Sequence, residues 1–226
     1  MEIIRYAELK AQPWRNGGGV TRELASQPAA TAPQGSTGQD STGSAGGWDW
    51  RVSIAEMSKA SDFSAFPGMD RVLTVVEGEL LLLSVDGAEH PLEKYRPFRF
   101  SGDAAAAGAL PTGDIRDLNV ITRNGAFKGY TSIIELSKKR AHPVFEGQLG
   151  ILLQGQATVS PGTAGDEPGT PAGSAAEKPP ANAAGTGAAE PRTLDRYDAV
   201  VGSDSATPEV LGRGFLAVVS IDRVAD

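Results

Sequence analysis

Arg71 is the residue whose type and position most strongly suggest ligand chemistry. It follows Asp70, directly before the apolar stretch at residues 72–76. In a β-barrel alternate residues point inward, so one member of this charged pair faces the interior and the other does not. An inward arginine in an apolar cavity could bind a carboxylate or a formyl group through two parallel hydrogen bonds. An ion pair at the barrel rim is an equally good interpretation of the sequence.

Asn119 is a second candidate, because asparagine in the middle of an apolar strand is unfavourable for β-structure. A buried polar group needs a hydrogen-bond partner, so Asn119 either bridges neighbouring groups or contacts a ligand. Arg51, Ser53 and Ala55 share one face of an amphipathic strand. A solvated outer face is the alternative interpretation for Arg51 and Ser53, and we favour it for Ser53.

A glycine-rich loop follows Trp14 and contains Asn16, Gly17, Gly18 and Gly19. Glycine tolerates positive φ, and the exposed backbone N–H groups of such a loop can surround an anion. The loop lacks the Lys-Ser/Thr pair of a nucleotide-phosphate loop, so we do not expect a nucleotide site. An ordinary turn held by Trp14 is the alternative, and the composition of the loop favours it.

Little in the sequence could bind a metal or support nucleophilic catalysis. The chain has no cysteine, and its two histidines, His90 and His142, fall in predicted turns far apart. Two isolated histidines do not make a three- or four-ligand site, so we expect neither a metal nor a cofactor. Four carboxylates are candidates for acid–base catalysis, and no pairing in the sequence favours one of them over the others. They are Glu56, Asp70, Glu77 and Asp117.

Short β-strands must position these side chains. Apolar residues alternate with a period of two, and helical periodicity is poor except for one turn near residues 6–11. Many strands separated by Gly and Pro turns favour an all-β sandwich or barrel. The predicted strands are residues 50–57, 72–76, 80–85, 97–100, 117–122, 130–136, 149–153, 157–159, 197–201 and 215–221.

The chain also shows a degenerate internal repeat. Two predicted hairpins turn at Gly78 and Gly155, and each is followed by a later partner strand. Two stretches rich in Ala, Gly, Ser, Thr and Pro, at residues 27–47 and 161–191, lack the apolar surface to offset their ordering entropy. We expect both to be flexible loop insertions. A linker between independent domains is the alternative for the second.

The net charge and the hydropathy of the sequence limit the classes of binding partner and the cellular location that we expect for this protein. The formal net charge of −7 disfavours nucleic acid and anionic lipid as partners, and no Lys/Arg run contradicts this. The longest apolar run, at residues 80–83, is far too short to cross a bilayer. The first residues lack a basic segment followed by an apolar core, so no signal peptide is predicted. We therefore expect a cytoplasmic protein without a nucleic-acid or membrane partner.

Five motifs in this order resemble the HutD/Ves family. They are Pro-Trp-Arg-Asn-Gly-Gly-Gly-Val-Thr-Arg-Glu at 13–23, Trp-Arg-Val-Ser-Ile-Ala at 50–55, Phe-Ser-Ala-Phe-Pro-Gly at 63–68, Asp70-Arg71, and Asp-Leu-Asn-Val at 117–120. The resemblance covers residues 1–135, and the remainder matches only in strand pattern. It implies an all-β bicupin of the RmlC-like jelly-roll type. We assign residues 1–140 and 141–226 to its two cupin-like halves, and a homodimer is compatible with it.

The resemblance also implies a function. One branch of the family is linked to histidine utilisation and the other to stress response, and no member has an established catalytic activity. The implied role is metal-free binding of a small acidic metabolite, such as a formylated or formimino-glutamate, to regulate flux or expression. In this family the arginine of a Gly-x-x-Arg segment lies in the pocket. The expected ligand-binding residues are Arg71, Asn119, Arg51, Asn16, Gly17, Gly18 and Gly19.

Two other functions stay open. The first is a metal-independent isomerase or hydrolase acting on a small acidic metabolite. The second is a structural stress protein that uses the barrel as an interaction surface. We favour binding over catalysis, because binding requires only a concave pocket with a few polar anchors.

Overall fold

The computed structural model of the chain describes residues 1–29, 47–162 and 190–225. These ranges are almost entirely β-structure, as the sequence predicts, with one 3-10 turn at Tyr6–Glu8. Residues 30–46 and 163–189, most of the two predicted insertions, lie outside the described residues. In chain order the strands are β1 (Ile3–Ile4), β2 (Gln12–Pro13), β3 (Gly19–Pro28), β4 (Trp48–Met57), β5 (Ser61–Asp62), β6 (Met69–Glu77), β7 (Leu80–Val85), β8 (Ala88–Glu93), β9 (Phe98–Ser101), β10 (Ala106–Ala109), β11 (Ile115–Arg123), β12 (Phe127–Leu136), β13 (His142–Pro143), β14 (Gln148–Pro161), β15 (Arg192–Leu194), β16 (Ala199–Val201) and β17 (Pro208–Arg223).

The described strands form three antiparallel sheets. A six-stranded sheet has the order β2-β3-β4-β11-β6-β9, and a four-stranded sheet has the order β5-β10-β7-β8. A seven-stranded sheet has the order β1-β16-β14-β17-β12, with β13 added to β17 and β15 added to β14. Both β1 and β12 thus join the sheet built mainly by the C-terminal residues. The predicted boundary between residues 140 and 141 stays a prediction.

The six-stranded sheet is the middle layer and is buried on both faces. On one face, Val52 and Ile54 of β4 belong to a cluster that includes Ile151 of the seven-stranded sheet. On the other face, Leu73 of β6 packs in a cluster with Leu81 of the four-stranded sheet. Successive strand residues point to opposite faces, so one strand supplies both cores. The space between the six- and four-stranded sheets is the interior of the N-terminal half.

The far side of the seven-stranded sheet carries a separate apolar core. Leu152, Val159, Val210 and Leu216 pack together there and are fully buried. The polar side chains predicted to contact a ligand lie in the N-terminal half, with Arg51 on β4, Arg71 on β6 and Asn119 on β11.

The structure corrects both predicted hairpins. Gly78 does form a turn with φ +83°, but it joins β6 and β7, which belong to different sheets. Around Gly155 there is no turn, because β14 pairs with β17 along its whole length. The backbones of Gly155 and the facing Gly214 approach so closely that a Cβ on Gly155 would lie 1.9 Å from the carbonyl oxygen of Arg213. The glycine thus serves a close strand contact beside a register shift.

The predicted later partner strands are confirmed. β9 pairs with β6, and β16 pairs with β14. The placement of both histidines in turns was wrong, since His90 lies in β8 and His142 in β13. β8 is the last strand of its sheet, and β13 is a two-residue addition to β17. Each histidine precedes a proline, which edge strands tolerate because one side of the strand needs no donor.

Candidate ligand-binding site

A cavity of about 430 Å³ lies in the N-terminal half. Its walls come from β2, β3, β4, β6 and β11 and from the segment at residues 62–66. The strand register brings the polar side chains together. Ile121 of β11 is paired with Arg51 on one side and with Arg71 on the other. In the next row, Asn119 is paired with Ser53. Paired residues share a face, so both guanidinium groups reach the same cavity.

Arg71 is the most buried charged group of the cavity wall, with 3 % of its surface exposed. Its Nη2 donates to Oδ1 of Asn119 at 2.9 Å, and its Nη1 donates a long bond to the carbonyl oxygen of Ser64 at 3.4 Å. Its Nε has no hydrogen-bond partner among the described residues. Burial lowers the pKa of Arg71 to about 10. The guanidinium group therefore stays charged at neutral pH, and it keeps N–H groups that can donate hydrogen bonds to an anion.

Aromatic rings surround this guanidinium. The Cζ atom of Arg71 lies 5.2 Å from the ring centre of Phe63, 5.3 Å from Phe66 and 4.9 Å from Phe100. Such cation–π contacts stabilise a desolvated cation without satisfying its hydrogen-bond donors.

Arg51 repeats this arrangement on the other side of β11. Its Cζ lies 5.1 Å from the ring centre of Trp48 and 5.7 Å from that of Phe66. Its Nε also has no partner within the part of the chain that the structure describes. Burial lowers the pKa of Arg51, and the carboxylate of Glu23 partly opposes this shift. The cavity wall thus contains two guanidinium groups, each held close to aromatic rings.

Asn119 links Arg71 to a buried carboxyl group. Its Nδ2 donates to Oδ1 of Asp117, while its own Oδ1 accepts from Arg71. Asp117 is fully buried, and its Oδ2 has no partner among the described residues. Burial raises the pKa of Asp117 to about 7, although Arg71 and the hydrogen bond from Asn119 act in the opposite direction. Asn119 therefore both bridges neighbouring groups and lines the cavity.

The hairpin of β2 and β3 forms one side of the cavity. Nε1 of Trp14 donates to Oγ1 of Thr21 at 2.8 Å, which fixes the indole ring against Phe63. Nδ2 of Asn16 donates a long bond to the carbonyl oxygen of Asp62 at 3.4 Å. Together these contacts join the hairpin to the segment that leads into β6.

The glycines of this hairpin lie elsewhere. Gly17 and Gly19 line a second cavity of about 410 Å³, together with Glu56, Glu77 and Arg116. Gly18 packs so tightly that a Cβ would lie 1.8 Å from Oγ of Ser61. The expected binding residues are therefore divided. The first cavity brings together Arg71, Asn119, Arg51 and Asn16, whereas none of the three glycines is among its lining residues.

Sequence reasoning missed several wall residues. Ser53, for which a solvated face was favoured, is 1 % exposed and lines the cavity. Arg15 contributes a third, exposed arginine to the lining. Asp117, which the sequence offered only as a catalytic carboxylate, is not among the lining residues, but it alternates with Asn119 and Ile121 and therefore shares their face of β11. That alternation was the available signal for the Asp117–Asn119 contact.

The other acid–base candidates are occupied or lie outside the first cavity. Glu56 forms ion pairs with Arg22 and Arg116, and Arg116 also pairs with Glu77 at 2.7 Å. Asp70 precedes Arg71 and therefore points to the opposite face of β6. Within residues 1–29, 47–162 and 190–225, no group of three or more His, Cys, Asp or Glu side chains could hold a metal ion. None of the helical segments described there has the length and apolarity to span a bilayer.

Three known proteins are similar to this chain, one in sequence and two in structure. Protein Ves of Citrobacter koseri is 34 % identical over 137 residues, which are 60 % of this chain and 64 % of that protein. HutD from Pseudomonas fluorescens SBW25, solved in a formate condition, has a TM-score of 0.67 at 23 % identity, with 99 % of each chain covered. A cupin 2 conserved barrel domain protein from Leptotrichia buccalis has a TM-score of 0.52 at 6 % identity, covering 99 % of this chain and 96 % of that one.

The solved structures support the fold, whereas the family model supports the family. The two solved structures share less than a quarter of their residues with this chain, so they show the fold alone, which is cupin-like. The curated relative matches in only part of its own length. The family model described as HutD matches residues 6–217, which is nearly the whole sequence. The chain belongs to the HutD family.

Proposed function

We propose that the cavity of the N-terminal half binds a small metabolite that carries a carboxylate, without a metal. The observation that carries this proposal is the guanidinium group of Arg71. It is 3 % exposed and lines the cavity, and only two of its five N–H groups donate to a partner among the described residues. A buried cation with an unused donor is costly unless an anion completes its contacts. A carboxylate or formyl oxygen meets this need.

The size and composition of the cavity agree with such a ligand. A volume of about 430 Å³ lies within the range of small-molecule sites. Arg51 and Arg71 are separated by β11, so their Cα atoms lie about 10 Å apart. Each can take one carboxylate of an acidic metabolite, while the rings of Trp48 and Phe66 cover its apolar part. A formylated or formimino-glutamate has these features.

Membership in the HutD family supports histidine utilisation as the setting of this proposed binding function. A solved neighbour is named HutD, and a curated relative is named Ves. We assign a regulatory role in the cytoplasm, in which the bound metabolite reports the state of the pathway. Stress response is the alternative setting for the same binding site.

A metal-independent enzyme is the second candidate function. Asp117 favours it, because a pKa of about 7 suits a general acid or base at neutral pH. Against it, Asn119 lies between that carboxyl group and Arg71. A turnover assay with each metabolite of the panel below separates the two, since a binding protein returns the ligand unchanged.

The test is a thermal-shift panel with N-formyl-L-glutamate, formimino-L-glutamate, urocanate and L-glutamate. A ligand at about 100 times its Kd should stabilise the wild type by about 2.7 kcal/mol. For a chain of this size that corresponds to roughly 5–10 °C in Tm. The shift should disappear in Arg71→Ala and remain in Arg96→Lys, which changes an exposed arginine. If no compound shifts the wild type, histidine utilisation loses its support, and stress response becomes the better setting.

A further inference from the structure

Arg51 and Arg71 give the cavity wall positive charge, and Asn119 connects Arg71 to Asp117, a buried carboxyl group that is not itself among the lining residues. Oδ1 of Asp117 accepts from Asn119, while Oδ2 has no partner among the described residues. A proton on Oδ2 would leave the chain Asp117–Asn119–Arg71 intact, because each bond in it uses other atoms. The carboxyl group can thus change its charge without breaking the contacts that orient Arg71.

The charged groups that face Asp117 are few. Arg71 on β6 interacts with it, and Arg51 on β4 raises the positive charge around Arg71. Glu23 on β3 acts on Arg51. The four-stranded sheet on the other side contributes apolar residues to this core, among them Leu81. Protonation of Asp117 therefore removes the carboxylate charge that acts on Arg71.

We infer that Asp117 takes up a proton when a carboxylate binds, so that the cavity accepts an anion and a proton together. With Asp117 ionised, its charge partly neutralises Arg71 and repels an incoming carboxylate. With Asp117 protonated, both guanidinium groups are available to the ligand. This inference rests on the proposed function, because it concerns the same cavity.

The direction in which the affinity changes with pH follows from the pKa of Asp117. In the free protein the pKa of Asp117 is about 7, so both charge states are populated near neutral pH. If the ligand binds only the protonated state, the apparent Kd equals the intrinsic Kd divided by the protonated fraction. Binding is then about tenfold weaker at pH 8 than at pH 6. Proton uptake approaches one per ligand at about pH 8 and falls towards zero at about pH 6.

Calorimetric titration of N-formyl-L-glutamate tests this, because both of its carboxylates stay ionised between about pH 5.5 and pH 8.5. Kd is measured across this range, and the number of protons taken up comes from buffers of different ionisation enthalpy. Asp117→Asn should bind with a Kd that is independent of pH and close to the tight value of the wild type. Glu93→Gln, which neutralises an exposed carboxylate on β8, should keep the wild-type pH dependence.

Each outcome decides a separate point. If the wild type binds equally well at pH 6 and pH 8 without proton uptake, the coupling is wrong and the binding function stands. If the wild type does not bind the ligand at any pH, both proposals fail. If Asp117→Asn does not fold, the buffer series on the wild type decides alone. An unchanged pH dependence in a folded Asp117→Asn would assign the proton to another group and overturn the inference.

Discussion

Replacing Asp117 with asparagine should change how the stability of this protein depends on pH. Burial raises the pKa of this carboxyl group from its ordinary 3.8 to about 7 in the folded protein. The folded state therefore holds the proton more strongly than the unfolded chain does. Stability from this group is greatest at about pH 4, falls as pH rises towards 7, and is constant above that. The sign is opposite to that of a salt-bridged carboxylate.

The magnitude follows from the same shift. About three pH units correspond to about 4 kcal/mol, which is an upper bound because burial is relieved by local relaxation. Asparagine resembles the protonated acid, so the free energy of unfolding of Asp117→Asn should lack this pH-dependent contribution. Relative to wild type, the unfolding free energy of the variant should rise by up to about 4 kcal/mol between pH 4 and pH 8.

Urea denaturation of both proteins at several pH values measures this difference. The slope of unfolding free energy against urea should be equal in the two proteins, so that the midpoints report stability. Glu93→Gln serves as the control, because its carboxylate is exposed and its stability curve should follow the wild type. Parallel curves for wild type and Asp117→Asn would contradict this prediction, because they would mean that Asp117 keeps its ordinary pKa in the folded protein.

Three further substitutions test other parts of the structure. Gly155→Ala should cost several kcal/mol in urea denaturation, because φ is +98° and the new Cβ would collide with the facing backbone, whereas Gly87→Ala, at φ +83° with open space, should cost less. Tyr197→Phe removes a 2.7 Å hydrogen bond to Glu77 and should lower the unfolding free energy by about 1 kcal/mol; no change would show that water replaces it. Ser53→Val should leave Tm within a few degrees but weaken ligand binding by crowding the cavity wall, and unchanged affinity would place the ligand elsewhere.

The sequence predicted the strands well because alternation is a local property. Arg51, Ser53 and Ala55 were expected on one face of β4, and all three line the cavity. The same alternation does not say which sheet a strand joins. Gly78 therefore looked like the turn of a hairpin, although β6 and β7 pair with other strands. The pairing between strands that are distant in sequence decides which sheet a strand joins, and a short window of sequence does not show that pairing.

The site was harder to predict than the fold for a similar reason. Ser53 looks the same on a solvated face as on the wall of a cavity, because a small polar side chain suits both. Gly18 and Gly19 suggested an anion loop, but each lies where a Cβ would collide with a neighbouring segment. Close packing explains these glycines as fully as a ligand would. Arg71 stood out because a charge beside an apolar strand is costly wherever that strand is buried.

The affinity of N-formyl-L-glutamate for Arg71→Lys, measured by calorimetry at about pH 6, tests directly whether Arg71 binds a carboxylate. Lysine keeps the charge but not the planar donor pair, and a charge-assisted hydrogen bond contributes about 1.5–3 kcal/mol. We expect Arg71→Lys to bind about 10- to 150-fold more weakly than wild type, while Arg96→Lys binds equally well. Equal affinity of wild type and Arg71→Lys would contradict the central claim that Arg71 anchors a carboxylate in this cavity.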